Sequence, residues 1–160
     1  MNRIAEFECI SASQREKDFS VPAKVLKLPQ RATAGSAGYD FFAPFDFTLC
    51  PGESLLMPTG VRAKIEAGWV LMLFPRSGLG FKYRLQLDNT VGIIDADYYN
   101  AKNEGHIMIR MTNDSRTGKK LEIHAGDAVA QGVFVPFGIT FSDDASGERT
   151  GGFGSTDRRE

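Results

Sequence analysis

Short segments rich in β-branched and aromatic side chains alternate with turn-forming residues along the chain, and few windows show helical periodicity. Four segments have the composition of β-strands: residues 70–74, 106–113, 119–125 and 128–137. The sequence NDSRTGKK is predicted to form a hairpin turn between the second and third of these strands. Frequent turns favour a barrel or a sandwich over βαβ units, so the predicted fold class is all-β.

The predicted organisation is one β-domain followed by a short arm. The best helix candidate is the segment RSGLGFKY (residues 76–83), so at most one short helix is expected. After Ile139 the composition becomes polar, glycine-rich and nearly free of core residues. We therefore predict a β-domain over residues 1–139 and a flexible C-terminal arm over residues 140–160.

Composition narrows the range of partners. The 160 residues are 42% hydrophobic and 24% charged, which is typical of a soluble globular domain with a real core. Nineteen Lys and Arg residues face twenty Asp and Glu residues, a formal net charge of −1. Bulk attraction to nucleic acid or to an acidic membrane is therefore not expected, and any anion must be bound by a local site.

Location and metal content can also be predicted. No apolar run approaches the roughly 18 residues of a membrane span, and the N-terminus lacks the pattern of a signal peptide, so a cytoplasmic location is expected. Cys9 and Cys50 have no metal-like spacing, and reduced thiols are favoured over a disulfide. With only His106 and His124 besides, a structural zinc site is not expected.

Two islands of small and polar residues could bind a ligand. In ATAGSAGYDFFAP, small residues including Gly38 precede Asp40. They could allow the backbone to approach a ligand closely, or they could form a turn in which Asp40 accepts a hydrogen bond from a neighbouring amide. In FPRSGLGF, Arg76 and Ser77 follow a predicted strand. They could present a guanidinium, a hydroxyl and backbone amides to a phosphate, or Ser77 could cap a helix while Arg76 is solvated.

A third island, LDNTVGIIDADYYN, contains the strongest candidates for chemistry. Asp95 and Asp97 would share a face of an extended strand, whereas a turn would separate them. A carboxylate at the end of a buried run can polarise a water as a general base, or it can bond turn amides. Asn89 could read an amide-like base edge, and Tyr98 could pack on a sugar or belong to the core.

The last two islands are AGDAVAQGVFVPF and GERTGGFGSTD. Gln131 interrupts an apolar strand, so its amide needs either backbone partners or a ligand. In the final island, flexible glycines surround Phe153 beside Arg149, Ser155 and Thr156. That mixture suits a segment that closes over a nucleotide, with the aromatic ring on a base and the polar groups on phosphates. A plain disordered linker is the alternative.

Taken in this order, the motifs AGYD, PRSG, NTVGIIDADY, GDAVAQ and GGFGST resemble those of the trimeric dUTPase (dUTP pyrophosphatase) family, bacterial or phage type, over about residues 27–157. The resemblance implies a jelly-roll-type β-barrel and a homotrimer whose active sites form between subunits. It also implies hydrolysis of dUTP to dUMP and pyrophosphate with Mg²⁺. Such an enzyme limits uracil in DNA and supplies dUMP for dTMP synthesis.

The same resemblance assigns roles to residues. Asp95 would be the general base for a water that attacks the α-phosphorus, and Tyr98 would pack on deoxyribose and exclude a 2′-hydroxyl. Mg²⁺ would be held by the triphosphate and water without a direct protein ligand, with Asp40 either outer-shell or structural. The residues that would bind the nucleotide are Arg76, Ser77, Gly78, Asn89, Gly92, Ile93, Ile94, Tyr98, Met108, Gln131, Arg149, Phe153, Gly154, Ser155 and Thr156.

The chain also departs from the family pattern. Asn100 stands where the family has glycine, and Gly105 resembles the displaced equivalent, with about five residues inserted after Tyr98. Because Asn tolerates left-handed backbone, a lengthened turn is expected there. Ala128 replaces a common arginine. Residues 1–19 lie outside the resemblance and are expected to form an extra strand or an arm.

The final arginine also departs from the pattern, because Arg149 precedes Phe153 by four positions and not by the usual five. Two alternative functions remain open at this point. A dCTP deaminase shares the fold, although the tyrosine after IIDAD and the GGFGST tail argue against it. The second alternative is a regulatory role in which the chain binds a protein partner, a case that resembles some phage-encoded members of the family. The insert of residues 100–104 is where such a partner would be expected to bind.

Overall fold

The computed structural model describes residues 2–147, and this part of the chain is built mainly from short antiparallel strands. Its elements are β1 (Ala5–Cys9), α1 (Ala12–Asp18), β2 (Gln30–Arg31), β3 (Tyr39–Phe42), β4 (Phe47–Leu49), β5 (Ser54–Pro58), β6 (Val61–Ile65), β7 (Trp69–Pro75), α2 (Ser77–Tyr83), β8 (Leu85–Leu87), β9 (Gly92–Ile94), a 3-10 helix (Ala96–Asn100), β10 (Met108–Asn113), β11 (Leu121–Ile123) and β12 (Ala128–Pro136).

The described strands form four open antiparallel sheets. The largest has five strands in the order β2-β3-β12-β7-β9, and a second has three in the order β5-β10-β8. Two pairs, β1-β6 and β4-β11, complete the set. The arrangement is compatible with a jelly roll, and the predicted all-β class is confirmed.

The core lies between the sheets because many strands bury alternate side chains. In β6, for example, Val61, Ala63 and Ile65 are buried while Arg62 and Lys64 are more exposed, as the period of two predicts. The most deeply buried apolar side chains come from strands of several sheets, and they include Phe41, Met57, Leu71, Leu73, Leu85, Met111, Leu121 and Val129. Burial of each large apolar side chain contributes about 1.5–3 kcal/mol to folding.

The two apolar strands that carry the largest sheet were predicted to within one residue at each end. The segment 70–74 is the centre of β7, and the segment 128–137 contains β12. Both pack on the core, so their near-continuous apolar composition was a reliable signal. The other two predicted strands are shorter than expected, since β10 begins at Met108 and β11 spans only Leu121–Ile123.

The predicted hairpin between β10 and β11 is wrong. The strand β10 pairs with β5 and β8, whereas β11 pairs with β4. The chain between them crosses from one sheet to another, and the buried Asn113 amide holds this crossing by donating to the carbonyls of Leu49 (2.8 Å) and Lys119 (2.9 Å). A turn-rich sequence predicts that the chain turns, and it does not predict which strands pair.

The expectation of at most one short helix is also corrected, because two α-helices of seven residues are present among residues 2–147. The first, α1, follows β1 within the N-terminal region, and β1 itself pairs with β6 as an extra strand. The signal for α1 was in the sequence. Ser11 caps the helix by accepting the amide of Gln14 at 3.1 Å, and Ser-x-x-Gln is the spacing of a capping box.

Two further findings concern the limits of the fold. No helix among residues 2–147 has the length and apolar content needed to cross a membrane. The predicted C-terminal arm is described only as far as Gly147, and residues 137–147 are exposed. The predictions for Arg149, Phe153, Gly154, Ser155 and Thr156 therefore lie outside the described residues.

Candidate active site

A cavity of about 820 Å³ lies between the edge strand β9 and the sheet β5-β10-β8. Six residues that the sequence had assigned to nucleotide binding come together in its wall, namely Asn89, Gly92, Ile93, Ile94, Tyr98 and Met108. Its remaining lining residues are Leu56, Leu73, Leu87, Asp88, Val91, Ile109 and Arg110. The wall is therefore mainly apolar with a few polar groups, as is common for sites that bind small molecules.

The turn between β8 and β9 places Asn89 at the rim of this cavity. Thr90 adopts a left-handed backbone with φ 64°, and its amide donates to the Leu87 carbonyl at 2.9 Å. The amide of Val91 donates to the Asn89 carbonyl at 2.7 Å. This tight turn leaves the Asn89 side chain exposed, with both a donor and an acceptor available for a ligand.

Among residues 2–147, the strand β9 is the edge of the five-stranded sheet, since β7 is its one neighbour there. Alternate amides and carbonyls along its other side point away from β7. Gly92 allows the close approach to β7, because a Cβ atom at this position would lie 3.0 Å from Cβ of Leu73. The backbone of β9 can therefore offer hydrogen bonds to a ligand in the cavity.

The cavity also contains an ion pair that the sequence analysis missed. Arg110 Nε lies 3.0 Å from Asp88 Oδ2, and the hydroxyl of Thr112 donates to the other oxygen of Asp88. A signal existed, since Met108, Arg110 and Thr112 alternate along β10 and so share a face. This alternation alone does not predict the ion pair, because the pairing of β10 with β8 is what brings these side chains to Asp88.

Asp95 follows β9 directly and begins the 3-10 helix, with extended backbone angles of φ −79° and ψ 158°. The helix then turns the chain, so Asp95 is half-buried while Asp97 is exposed. Of the two arrangements considered for these acids, the one separated by a turn is therefore found. Ile94 lines the cavity, and Asp95 follows it in the chain without being part of the lining.

Tyr98 contributes its ring to the cavity wall and is only 6% exposed. Its hydroxyl is used within the protein, because it donates to the His106 carbonyl at 2.8 Å and accepts from Nδ2 of Asn103 at 2.8 Å. The ring, and not the hydroxyl, is thus the part of Tyr98 that can meet a ligand.

The lengthened turn after Tyr98 is present, but Asn100, the residue expected to have left-handed backbone, is not the one that adopts it. Asn100 ends the 3-10 helix, while Glu104 (φ 59°) and Gly105 (φ 70°) adopt left-handed backbone. A Cβ atom on Gly105 would lie 2.7 Å from the Tyr98 carbonyl oxygen and from Cα of Tyr99. Glycine is therefore required at 105.

A second group of predicted residues lies on the five-stranded sheet, around the end of β7. Arg76 Nε is 3.2 Å from Asp40 Oδ1, and Nε2 of Gln131 donates to the Pro75 carbonyl at 3.2 Å. Gln131 and Asp40 are directly paired across β12 and β3. Arg76, which precedes α2 and replaces Ser77 as its N-cap residue, has an exposed side chain available to an anion, and Ser77 and Gly78 are exposed beside it.

The two groups lie far apart within one chain. Asp95 lies one residue beyond the Leu71–Ile94 pair, at the level of Val70, whereas Gln131 and Asp40 lie at the level of Phe74. Four residues of strand correspond to about 13 Å, and the three strand spacings from β3 to β9 add about 14 Å across the sheet. One phosphate cannot contact both groups of the same chain.

No cluster of three or more His, Cys, Asp or Glu side chains suited to a metal ion occurs among the residues that the structure describes. The Asp40 carboxylate forms the ion pair with Arg76 described above. Cys9 and Cys50 are both free thiols, as predicted.

Comparisons with known proteins agree with this architecture. A model of the dUTPase family matches residues 24–157. A deoxyuridine 5′-triphosphate nucleotidohydrolase from Lactococcus lactis is 46% identical over 134 residues, which cover 82% of this chain and 88% of the relative. One from Shewanella sp. strain ANA-3 is 43% identical over 135 residues, covering 79% and 84%.

Solved structures give the same result. The crystal structure of a dUTPase from Streptococcus mutans superposes with a TM-score of 0.67 at 40% identity, covering 84% of this chain and 97% of the other. A dUTPase from phage phi11 of S. aureus, with its species-specific insert, shares the fold with a TM-score of 0.67 at 24% identity, covering 91% and 97%. With a family match over most of its length and relatives above 40% identity, the chain belongs to the dUTPase family.

Proposed function

We propose that this chain hydrolyses dUTP to dUMP and pyrophosphate, and that Asp95 activates the water that attacks the α-phosphorus. Such an activity would limit uracil in DNA and supply dUMP for dTMP synthesis. The observation that carries the proposal is the cavity wall, which brings together Asn89, the β9 backbone and Tyr98, with Asp95 following β9 directly. These groups suit a base, a sugar and a water that attacks the α-phosphorus, respectively, with Asn89 and β9 for the base, Tyr98 for the sugar and Asp95 for the water.

Uracil would be read by the rim of the cavity. The exposed Asn89 amide and the backbone groups of β9 offer donors and acceptors that match an imide edge. A site built from hydrogen bonds rejects a base with the wrong pattern strongly, because buried polar groups would be left unpaired. A cytosine amino group presents that mismatch, and Gly92, Ile93 and Met108 would limit the space for a 5-methyl group.

The sugar would pack on Tyr98. Because the Tyr98 hydroxyl is already bonded to Asn103 and to the His106 carbonyl, it cannot serve a ribose 2′-hydroxyl. A 2′-hydroxyl placed against the ring would lose water without gaining a partner, which is costly. A deoxyribose makes no such demand.

The phosphates would be bound by the second group. Arg76, with Ser77 and Gly78 beside it, would hold phosphate oxygens, and Gln131 would support the site from β12. Mg²⁺ prefers phosphate oxygens and retained waters, so the metal would arrive with the triphosphate and would take no direct protein ligand. When bound, it would neutralise charge on the triphosphate. Asp40 would act on Arg76 and not on the metal directly.

The active site would be shared between subunits of a homotrimer. About 13 Å along the strands separates Asp95 from both Asp40 and Gln131 in one chain, and the separation across the sheet is about 14 Å to Asp40 and about 10 Å to Gln131. A triphosphate that reaches both groups therefore needs the base-reading half from one subunit and the phosphate-binding half from another. Arg149, Phe153, Gly154, Ser155 and Thr156 would close over the nucleotide from the C-terminal arm.

The decisive experiment replaces Asp95→Asn and measures pyrophosphate release from dUTP with Mg²⁺. We expect turnover to fall by about 10²–10⁴-fold, while binding of a non-hydrolysable dUTP analogue is largely retained. Asp97→Asn is the matched control, since Asp97 is exposed after the turn and should keep near-normal turnover. Normal turnover in Asp95→Asn would refute the assignment.

The same assay separates the alternative activity of the fold. Wild-type protein is given dUTP and dCTP in separate reactions, with pyrophosphate and ammonia both measured. Pyrophosphate from dUTP is expected. Ammonia from dCTP without pyrophosphate from dUTP would instead identify a dCTP deaminase.

A truncation tests the role of the C-terminal arm. Because residues 147–160 are polar, glycine-rich and nearly free of core-type residues, their removal should leave the melting temperature nearly unchanged. Most activity should nevertheless be lost, since the truncation removes the arginine, the aromatic ring and the hydroxyls assigned to the closing motif. Full activity after truncation would exclude the arm from the site.

A further inference from the structure

The N-terminal segment (residues 5–19) lies outside the family match, which begins at residue 24, yet it contacts the loop that follows the cavity residue Tyr98. Its strand β1 pairs with β6 along its whole length, and this fixes the segment to the domain. From there it makes three side-chain contacts with the loop that follows Tyr98, the 99–106 loop. Each contact uses a charged or polar side chain, so the docking is specific.

The first contact joins Glu8 to Tyr99. Oε2 of Glu8 accepts the Tyr99 hydroxyl at 2.8 Å and also the Nη2 of Arg62 at 2.6 Å. The Arg62 guanidinium lies over the Tyr99 ring, 4.3 Å from its centroid. The Tyr99 hydroxyl and then Arg62 hold the pKa of Glu8 below its usual range, so this carboxylate stays charged.

The second contact fastens Glu104. The Ser11 amide donates to one oxygen of the Glu104 carboxylate at 2.8 Å, and the Ser11 hydroxyl donates to the other at 2.6 Å. These two bonds lower the pKa of Glu104, the hydroxyl more than the amide. Glu104 has a left-handed backbone, which costs free energy in a residue with a Cβ atom, so a partner 93 residues away stabilises an unfavourable turn.

The third contact reaches the buried His106. Its Nδ1 is 2.6 Å from Asp18 Oδ2, and its ring stacks on Phe19 with an interplanar angle of 7°. The Gly60 amide donates to Nε2 at 2.9 Å, so the proton of a neutral ring must be on Nδ1, where it donates to Asp18. Both ring nitrogens are thus used, and the position of His106 is determined from two sides.

The 99–106 loop transmits this docking to the cavity through Tyr98. The His106 carbonyl accepts the Tyr98 hydroxyl, and Asn103 donates to that same hydroxyl. Asn103 is fixed in turn by the His106 amide, which donates to the Asn103 carbonyl at 3.1 Å. A shift of Glu104 or His106 would therefore displace the partners that orient the Tyr98 ring.

We propose that Ser11 is a positioning residue for deoxyribose selectivity, acting through Glu104 and the 99–106 loop on the Tyr98 ring. The proposal rests on the proposed function, in which that ring excludes a 2′-hydroxyl. The N-terminal segment would touch no substrate atom. It would restrict the positions that the Tyr98 ring can adopt. A ring with less freedom to move aside excludes the 2′-hydroxyl of ribose more strongly and so discriminates better between ribose and deoxyribose.

The test measures kcat/KM for dUTP, UTP and dTTP in Ser11→Ala and Glu104→Gln. We expect the preference for dUTP over UTP to fall roughly tenfold in each variant, with kcat for dUTP nearly unchanged. The preference for dUTP over dTTP should be retained, because a 5-methyl group is sensed at the β9 end of the cavity. The double variant should lose little more than either single one, since both substitutions weaken the same contact.

Two further variants separate positioning from general loosening. Glu16→Gln makes the same chemical change as Glu104→Gln on an exposed position of α1 and should keep full selectivity. Ser11→Thr keeps both the hydroxyl and the amide and should restore it. Amide hydrogen exchange over residues 98–106 should accelerate in Ser11→Ala and in Glu104→Gln only.

The outcomes distinguish this inference from the function on which it rests. A wild-type protein without dUTP hydrolysis would overturn both. A wild type that is active and selective, with folded variants that keep its preference for dUTP over UTP, would overturn the positioning role alone. An equal loss for dUTP and UTP would also overturn it, because a purely structural contact affects both sugars alike.

Discussion

The Nε atom of Arg76 lies 3.2 Å from Oδ1 of Asp40, so the second sequence island is joined to the first at the end of β7. Asp40 is on β3 and is paired with Gln131 on β12, which brings the fourth island to the same place. Three motifs that are widely separated in the chain thus form one cluster at the end of β7. The cluster explains the glycine at position 38, where the backbone approaches Gln131 closely.

Breaking this ion pair should impair catalysis more than folding. In Asp40→Asn, the Arg76 side chain loses the charge that orients it, and we expect kcat/KM for dUTP to fall by about 10- to 100-fold. Stability should change little, because Arg76 is 45% exposed. Asp114→Asn is the matched control, since it breaks the exposed Arg84–Asp114 pair, whose Nε–Oδ2 distance is 3.1 Å. Equal kinetics in the two variants would contradict the role of Asp40.

Gly38 offers a second test of the same cluster. A Cβ atom at Gly38 would lie 2.8 Å from Oε1 of Gln131, whereas one at Gly35 would meet nothing within 4 Å. Gly38→Ala should therefore displace the flexible end of Gln131 from Pro75 and reduce kcat/KM about tenfold, with little change in melting temperature. Gly35→Ala should leave both unchanged. A Gly38→Ala enzyme with normal kcat/KM would show that the position of Gln131 is unimportant.

The parts that were predictable share a physical cause. Strands β7 and β12 are nearly continuous apolar runs, and their burial follows directly from that composition. The cavity residues Asn89 and Tyr98 could be assigned because their side chains suit a base and a sugar and because the motifs resemble a family. These are properties of residue type and spacing, which a sequence displays.

The parts that were missed depend on pairing between distant segments. The turn after β10 was recognised, but its strands join different sheets, since β10 finds β5 and β11 finds β4. Likewise the capping signature of Ser11 predicts a helix start locally. Its contact with Glu104 depends on how β1 docks against β6, and no local pattern encodes that register.

The glycine in the lengthened turn should be one of the least replaceable residues of the site. Gly105→Ala combines a left-handed backbone, which costs about 1–2 kcal/mol for a residue with a side chain, with a clash against the backbone of Tyr98 and Tyr99 worth about 1–3 kcal/mol more. Gly118→Ala has the same backbone conformation (φ 73°) in open space and isolates the first cost. Urea denaturation should show the larger loss in Gly105→Ala; equal losses would argue against the clash.

The surroundings of His106 predict a dependence of stability on pH. Burial lowers the pKa of this imidazole below its ordinary value of about 6.5, and the nearby carboxylates of Asp18 and Glu104 oppose that shift without cancelling it. A second proton would have to enter at Nε2, where the Gly60 amide already donates. The folded protein therefore resists protonation that the unfolded chain accepts.

The sign follows from proton binding. Above about pH 6.5 the ring is neutral in both states and contributes no pH dependence. As the pH falls below 6.5 towards the lowered pKa of the folded state, the unfolded chain binds more protons, so the free energy of unfolding decreases. His106→Gln should flatten the dependence of the urea midpoint on pH between about 7 and 5, whatever its effect on absolute stability. His124→Gln, which removes a histidine whose side chain is 78% exposed, should keep the slope of the wild type. If His106→Gln and the wild type had the same slope, protonation of the buried ring would not be what destabilises the domain in acid.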